Sequence, residues 1–231
     1  MGSLNEVQIL LSGLTLVYKL FQSVFGNEPS KEQLEILGSQ ASKEALELFG
    51  DEDCPDYMES LKVFDAFCIR YKNQAGATLE ELQSEYTRLL LGPEKLPAHP
   101  WESVYVTKER LLFQKSTLEV RDCYRAFGFI PAEYPHVADD HIALELDFLG
   151  RLSEMAEKAY NQGEKEEILR FLEAQKDFMR RHLLNWVPDF AGQMQQSKTN
   201  VFYPNAALLL SEFLKRADQA IDEILDSLTY Q

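Results

Sequence analysis

Cysteine is scarce in this chain of 231 residues: Cys54, Cys68 and Cys123 are an odd number with no C-x-x-C pair. That excludes a disulfide framework and a zinc knuckle and fits a reducing compartment. Glycine and proline stand at 11 and 9, ordinary counts that exclude collagen-like and low-complexity chains. No uninterrupted apolar run reaches the ~20 residues that span a bilayer. The opening MGSLNEVQILLSGLTLVYKLF has no Lys or Arg before Lys19 and carries Glu6, so it lacks the basic start of a secretory signal. Basic residues are outnumbered: 23 Lys and Arg face 38 Asp and Glu, a formal charge of −15. A surface of that sign repels phosphate backbones and anionic lipid. It disfavours nucleic-acid partners and stable membrane insertion and suits a cationic partner. A cytoplasmic protein is expected.

Catalytic signatures are missing too. There is no G-x-x-x-x-G-K-[ST], no G-x-G-x-x-G and no G-x-S-x-G, so phosphate-loop, dinucleotide and serine-hydrolase readings lack their motifs. A helical di-iron site needs two Glu-x-x-His turns. That spacing occurs once, at Glu133–His136, with Pro135 inside it. No metal ligand set and no cofactor is expected.

What is present is helical periodicity. Val7, Leu10, Leu11, Leu14, Val17, Tyr18, Phe21 and Phe25 follow i, i+3, i+4, i+7 spacing up to Gly26. A Ser30-x-x-Gln33 capping box opens a helix predicted over Lys31–Phe49. Tyr57 to Tyr71 mark the next helix, and Thr78-x-x-Glu81 is read as the cap of another. After a helix at Ser116–Phe127, Ile142, Leu146, Leu149, Leu152 and Met155 form the inward stripe of the following one. A stripe from Ile168 to Trp186 is expected to end at Pro188. A last helix starts near Asn205. No period-two pattern persists. The expectation is an all-α, single-domain bundle of about ten helices spanning residues 1–231, interrupted by two proline-rich irregular segments, Leu91–Val106 and Ile130–Asp139.

The densest polar cluster follows the second segment: Asp139, Asp140, His141 and Glu145. His141 and Glu145 share a helix face at i, i+4. The cluster reads as a metal site, an acid–base pair or a notch for a partner. On residue types alone it reads first as an aspartate N-cap followed by a first-turn histidine, because Asp before an apolar periodic run is ordinary capping. A small nucleotide- or metal-dependent hydrolase using these four residues is the competing function. His182, between Met179 and Trp186, reads as a hydrogen-bonded core histidine. Trp101 is either a partner contact or an aromatic packed under the proline loop.

Three blocks resemble the TorD/DmsD family. Glu85–Tyr105 (EYTRLLLGPEKLPAHPWESVY) is similar to its Gly-Pro…Glu-Ser-x-Tyr block, Tyr134–Leu149 (YPHVADDHIALELDFL) to its Asp-His block, and Trp186–Phe190 to its Trp-x-Pro-x-Phe segment. The resemblance implies an all-α chaperone without catalytic activity. It would bind the precursor of a molybdopterin-containing oxidoreductase catalytic subunit through its twin-arginine leader, delaying export until the cofactor is loaded. Some members form domain-swapped homodimers, so monomer and swapped dimer are both implied, and weak guanine-nucleotide binding is attributed to some. By resemblance, Asp140 and His141 match the family's leader-binding pair and Glu145 the glutamate four residues on. Tyr86, Leu90, Gly92, Pro93, Trp101, Ser103 and Tyr105 fall on the first block. Ala138 departs from the family's usual proline two residues before the aspartate. Physically, a twin-arginine leader asks for carboxylates beside an apolar groove. Asp139, Asp140 and Glu145 are candidates for the first, Leu90, Trp101 and Tyr105 for the second.

Overall fold

Helix α1, Leu4–Gly26, carries the first apolar stripe, and its long contact with α8, Ile142–Gln162, is the spine of the molecule. Leu11, Leu14, Val17, Tyr18, Phe21 and Phe25 are all buried. Each such side chain contributes about 1.5–3 kcal/mol relative to exposure. Thr15, also buried, satisfies its hydroxyl on Ser153 of α8 at 2.8 Å. At the crossing, a Cβ on Gly26 would come within 2.9 Å of the Ala143 Cβ, so the end of α1 meets the start of α8 only through glycine. By length and composition 6–26 would pass for a membrane span, yet half of that stretch is buried inside this fold.

The computed structural model describes residues 4–92, 96–107, 111–112, 114–131, 137–197, 199 and 201–229. Among them are eleven α-helices, one π-helical turn and one isolated β-bridge. After α1 come α2 (Lys31–Leu37), α3 (Gln40–Glu47), α4 (Pro55–Asn73) and α5 (Ala75–Tyr86), which runs into the π-turn Thr87–Leu91. Then follow α6 (Ser103–Val106), α7 (Lys115–Ala126), α8, α9 (Lys165–Arg181), α10 (Leu183–Gln195) and α11 (Tyr203–Thr229). Helix α11 packs on α10 and α4, and α9 lies against α8. The buried side chains form one continuous apolar cluster reaching from Val7 to Leu228. The all-α expectation holds.

Several boundaries differ from those predicted. The helix expected over Lys31–Phe49 is two, because Gly38 ends α2 and the Ser39 hydroxyl accepts from Ser42 N to start α3. Ser30 caps α2 through Gln33 N, but the Gln33 side chain donates to Ser23 instead of closing the box. Thr78 caps nothing: α5 begins at Ala75, and Thr78 is fully buried inside it. Met155 is 39% exposed and is not part of the α8 inner stripe. The stripe from Ile168 breaks at His182 (φ −118°, ψ −92°), and Pro188 lies inside α10. An interior proline costs about 3 kcal/mol. Burial of Trp186, Val187, Phe190, Ala191 and Met194 along that helix offsets it.

Candidate functional site: a junction of two irregular segments

The two irregular segments meet. Trp101 and His141 form the isolated antiparallel bridge, flanked by Glu102 N donating to the Asp140 carbonyl at 3.0 Å and Ile142 N donating to the Pro100 carbonyl at 2.9 Å. Asp140 Oδ2 then accepts from Ser103 N at 2.8 Å, so one segment's carboxylate caps the short helix α6 of the other. The Trp101 and His141 rings stand edge to face at 5.3 Å. Both are half-buried, whereas Ser103 and Asp140 are fully buried. Trp101 Nε1, Ser103 Oγ and Asp140 Oδ1 are buried with no hydrogen-bond partner among the described residues, a concentration native interiors ordinarily avoid.

The N-cap of α8 is His141, which corrects the expectation of an aspartate there. Its Nδ1 accepts from Ala143 N at 3.2 Å. Burial lowers its pKa to about 4 against the opposing pull of Asp140. The ring is therefore neutral at pH 7, with Nδ1 as acceptor and Nε2 carrying the proton. Asp140 is committed to Ser103. Asp139 is held by Arg121, whose Nε and Nη2 lie 2.8 and 2.6 Å from Oδ2, while its carbonyl accepts from the buried Tyr124 hydroxyl at 2.9 Å. Ala138, in place of the family's proline, still makes the turn: its carbonyl accepts from His141 N at 3.2 Å.

Beneath this junction lies a buried polar network. Glu145 is fully buried and accepts from Trp186 Nε1 at 3.1 Å. Burial first, then the neighbouring charges of Glu102 and Asp140, push its pKa well up and favour the neutral acid, the form that can donate to Glu102. Glu102 in turn grips His182 Nδ1 from both oxygens, at 3.0 and 3.1 Å. Burial alone would lower His182; its contacts with Cys123 and Glu102 outweigh that and raise it to about 9. The Tyr105 ring stacks on Trp186 at 5.4 Å, and its hydroxyl donates to Gln193 Oε1 at 3.4 Å. Thus one pair of residues, Glu102 and Ser103, connects the surface bridge to the interior.

The model of the family described as nitrate reductase delta subunit matches residues 51–192. The chaperone protein TorD of Aliivibrio salmonicida is 30% identical over 92% of this chain and 96% of its own. The chain belongs to the TorD family. TorD of Vibrio parahaemolyticus is likewise 30% identical, over 92% of this chain and 96% of that one. Among solved structures, a candidate redox enzyme maturation protein from Archaeoglobus fulgidus superposes with a TM-score of 0.48 at 21% identity, over 87% of this chain and 93% of that one. The chain is thus a TorD-type chaperone of molybdoenzyme maturation, a binder of a redox-enzyme subunit and not an enzyme.

In this TorD-family chain the expected site residues fall into two groups. Trp101, Ser103, Asp140 and His141 meet at the bridge, Asp139 adjoins them, and Glu145 and Tyr105 join from below through Trp186. Tyr86 and Leu90 sit elsewhere, both buried; Tyr86 packs on Tyr203 with ring centroids 5.6 Å apart. Their neighbour Glu85 explains that wall. Its buried carboxylate accepts from Val201 N at 2.9 Å, Phe202 N at 2.7 Å, Tyr203 N at 3.0 Å and the Thr199 hydroxyl, capping the start of α11. Gly92, at φ +87°, lets the chain leave the π-turn. Pro93 lies outside the described residues, as does the Glu133–His136 spacing. The hydrolase constellation does not assemble: Asp139, Asp140, His141 and Glu145 each turn to a different partner. Among the described residues no three His, Cys, Asp or Glu side chains are grouped to hold a metal. Sequence reasoning missed Glu102 as the hub. Its place between Trp101 and Ser103 in the family-like block was the available signal.

Proposed function

We propose that the junction of the two irregular segments is where this chaperone takes the twin-arginine leader of its molybdoenzyme catalytic-subunit precursor. The precursor would be held in the cytoplasm until the molybdopterin cofactor is in place. The observation that carries the reading is the Trp101–His141 bridge, which joins the two family-like blocks into one surface. On that surface Trp101, His141 and Tyr105 are the half-buried side chains within a client's reach. Asp140, Ser103, Asp139 and Glu145 lie underneath and hold those three in place, and Tyr86 and Leu90 anchor the proline-rich segment from the other end. A neutral His141 offers an Nε2–H to a client carbonyl, and Trp101 offers an apolar face. We read residues 1–231 as one domain, acting as a monomer or a swapped dimer, with no bound cofactor and no nucleic-acid partner.

The test is titration of a fluorescent leader peptide into wild type and into Trp101→Ala with His141→Ala. A ten-fold or larger loss of affinity, with unchanged helical circular dichroism, is expected. Wild-type affinity in the double variant would defeat the assignment. Capture from anaerobically grown cells should retain a molybdoenzyme catalytic subunit with its leader uncut. Retention of mature complexes alone would point to a structural subunit.

A further inference from the structure

A leader with two arginines needs acceptors, and the three carboxylates the sequence offered are buried. Asp139 belongs to Arg121, Asp140 gives Oδ2 to Ser103, and Glu145 is buried against Trp186. A carboxylate of different standing lies beside the same junction. Asp189, in the Trp-x-Pro-x-Phe segment, is exposed on α10 and forms no ion pair with any described residue. It lines a cavity of about 310 Å³ between the proline-rich segment and α10.

The walls of that cavity sort by chemistry. Leu96, Pro97 and Val104 supply apolar lining, which suits the methylene stem of a long cationic side chain. The remaining lining residues are polar: Asp189, Tyr105, Gln193 and His99. The Tyr105 hydroxyl donates to Gln193 Oε1, which holds the two polar side chains together at the cavity. Asp189 gives this cavity a carboxylate, in a molecule whose formal charge is −15. A planar guanidinium, with five donors in a fixed fork, matches a carboxylate bidentately and can reach a second acceptor at the same time.

We propose that this cavity, lined by Asp189, Tyr105 and Gln193, is the pocket for an arginine side chain of the client polypeptide. The proposal rests on the leader reading above and moves its arginine recognition from the Asp140 cluster to α10. Tyr105 then serves both places, stacked on Trp186 beneath the bridge and facing the guanidinium.

Two measurements on the full chain test it. In the first, a labelled peptide with consecutive arginines before an apolar run is titrated into wild type and Asp189→Asn. Binding is expected to weaken about ten-fold in the variant, and that difference should vanish when the pocket's arginine is replaced by citrulline. Equal affinities for the arginine peptide would overturn the pocket and leave leader binding intact. In the second, N-acetyl-arginine amide is added while the Gln193 side-chain amide is followed by NMR. If wild type binds no leader peptide at all, the leader reading falls and this titration decides the pocket alone. A saturable shift lost in Asp189→Asn upholds the pocket; no shift overturns it.

Discussion

Glu102 holds His182 from both carboxylate oxygens, at 3.0 and 3.1 Å, and the two side chains are almost completely shielded from solvent. Each belongs to a different break in the fold: Glu102 precedes α6, and His182 is the residue at which α9 gives way to α10. The contact therefore fixes where a long apolar stripe bends.

The pair sets a pH dependence. His182 titrates at about 9 in the folded protein, against an ordinary value of 6.5. A raised histidine contributes stability that is complete below the unfolded value and lost as pH rises through the folded one. His141 shifts the other way, to about 4, so its contribution is present above 6.5 and lost as pH falls toward 4. Thermal unfolding should give a Tm that falls as pH rises from 6.5 through 9, a range in which raised Glu145 acts in the same direction as His182. His182→Gln should flatten the alkaline limb; an unchanged slope there would refute the role given to this pair.

Glu145 should tolerate an amide. Burial favours its neutral form, and one oxygen accepts from Trp186. Glu145→Gln keeps that acceptor and a donor toward Glu102, so a stability change within about 1 kcal/mol is expected at pH 7. Glu145→Ala removes both and leaves the Trp186 Nε1–H buried, with an expected loss of about 2–3 kcal/mol. Urea unfolding followed by Trp fluorescence separates the two. Equal, large losses would mean that Glu145 is ionised in the fold.

Glu85 should be the costlier position. Three backbone N–H groups and a hydroxyl at the start of α11 converge on its carboxylate. Glu85→Ala strands several buried donors and is expected to cost about 3 kcal/mol or more. Hydrogen exchange should localise the loss to the first turns of α11. A neutral variant would show that the N–H groups of Val201, Phe202 and Tyr203 find other acceptors.

Arg121 and Asp139 should couple. The arginine is one-quarter exposed and the aspartate buried. Arg121→Met leaves a buried, unpaired carboxylate and is expected to cost about 3 kcal/mol. Adding Asp139→Asn should recover much of it, since the charge that needed a partner is gone. Strict additivity in that double-mutant cycle would mean the pair carries no interaction energy.

The sequence made the helices legible because burial imposes a period that residues such as Leu11, Leu14 and Tyr18 display directly. It misplaced boundaries where a local signal met a stronger tertiary one. Pro188 looked like a stop, but the buried faces of Trp186 and Phe190 carry the helix through it. Thr78-x-x-Glu81 looked like a cap, but the chain turned four residues earlier at Gln74. At the site, Asp140 and His141 were legible as a cluster, and their division of labour was not. Which of two neighbours caps α8 depends on Ser103, a partner 37 positions away that claims the aspartate. Glu102 and Glu85 were missed for the same reason, since each finds its partners at long range.

The contact of α1 with α8 and α11 has a consequence for synthesis. During translation the first helix emerges with an apolar stripe resembling a bilayer-spanning segment, and its main cover, α8, is made only after the middle of the chain. Closing the core therefore depends on contacts distant in sequence, which are slow to form and leave apolar surface open meanwhile. A chaperone of this family is thus, until its own later helices arrive, the kind of exposed polypeptide that chaperones attend.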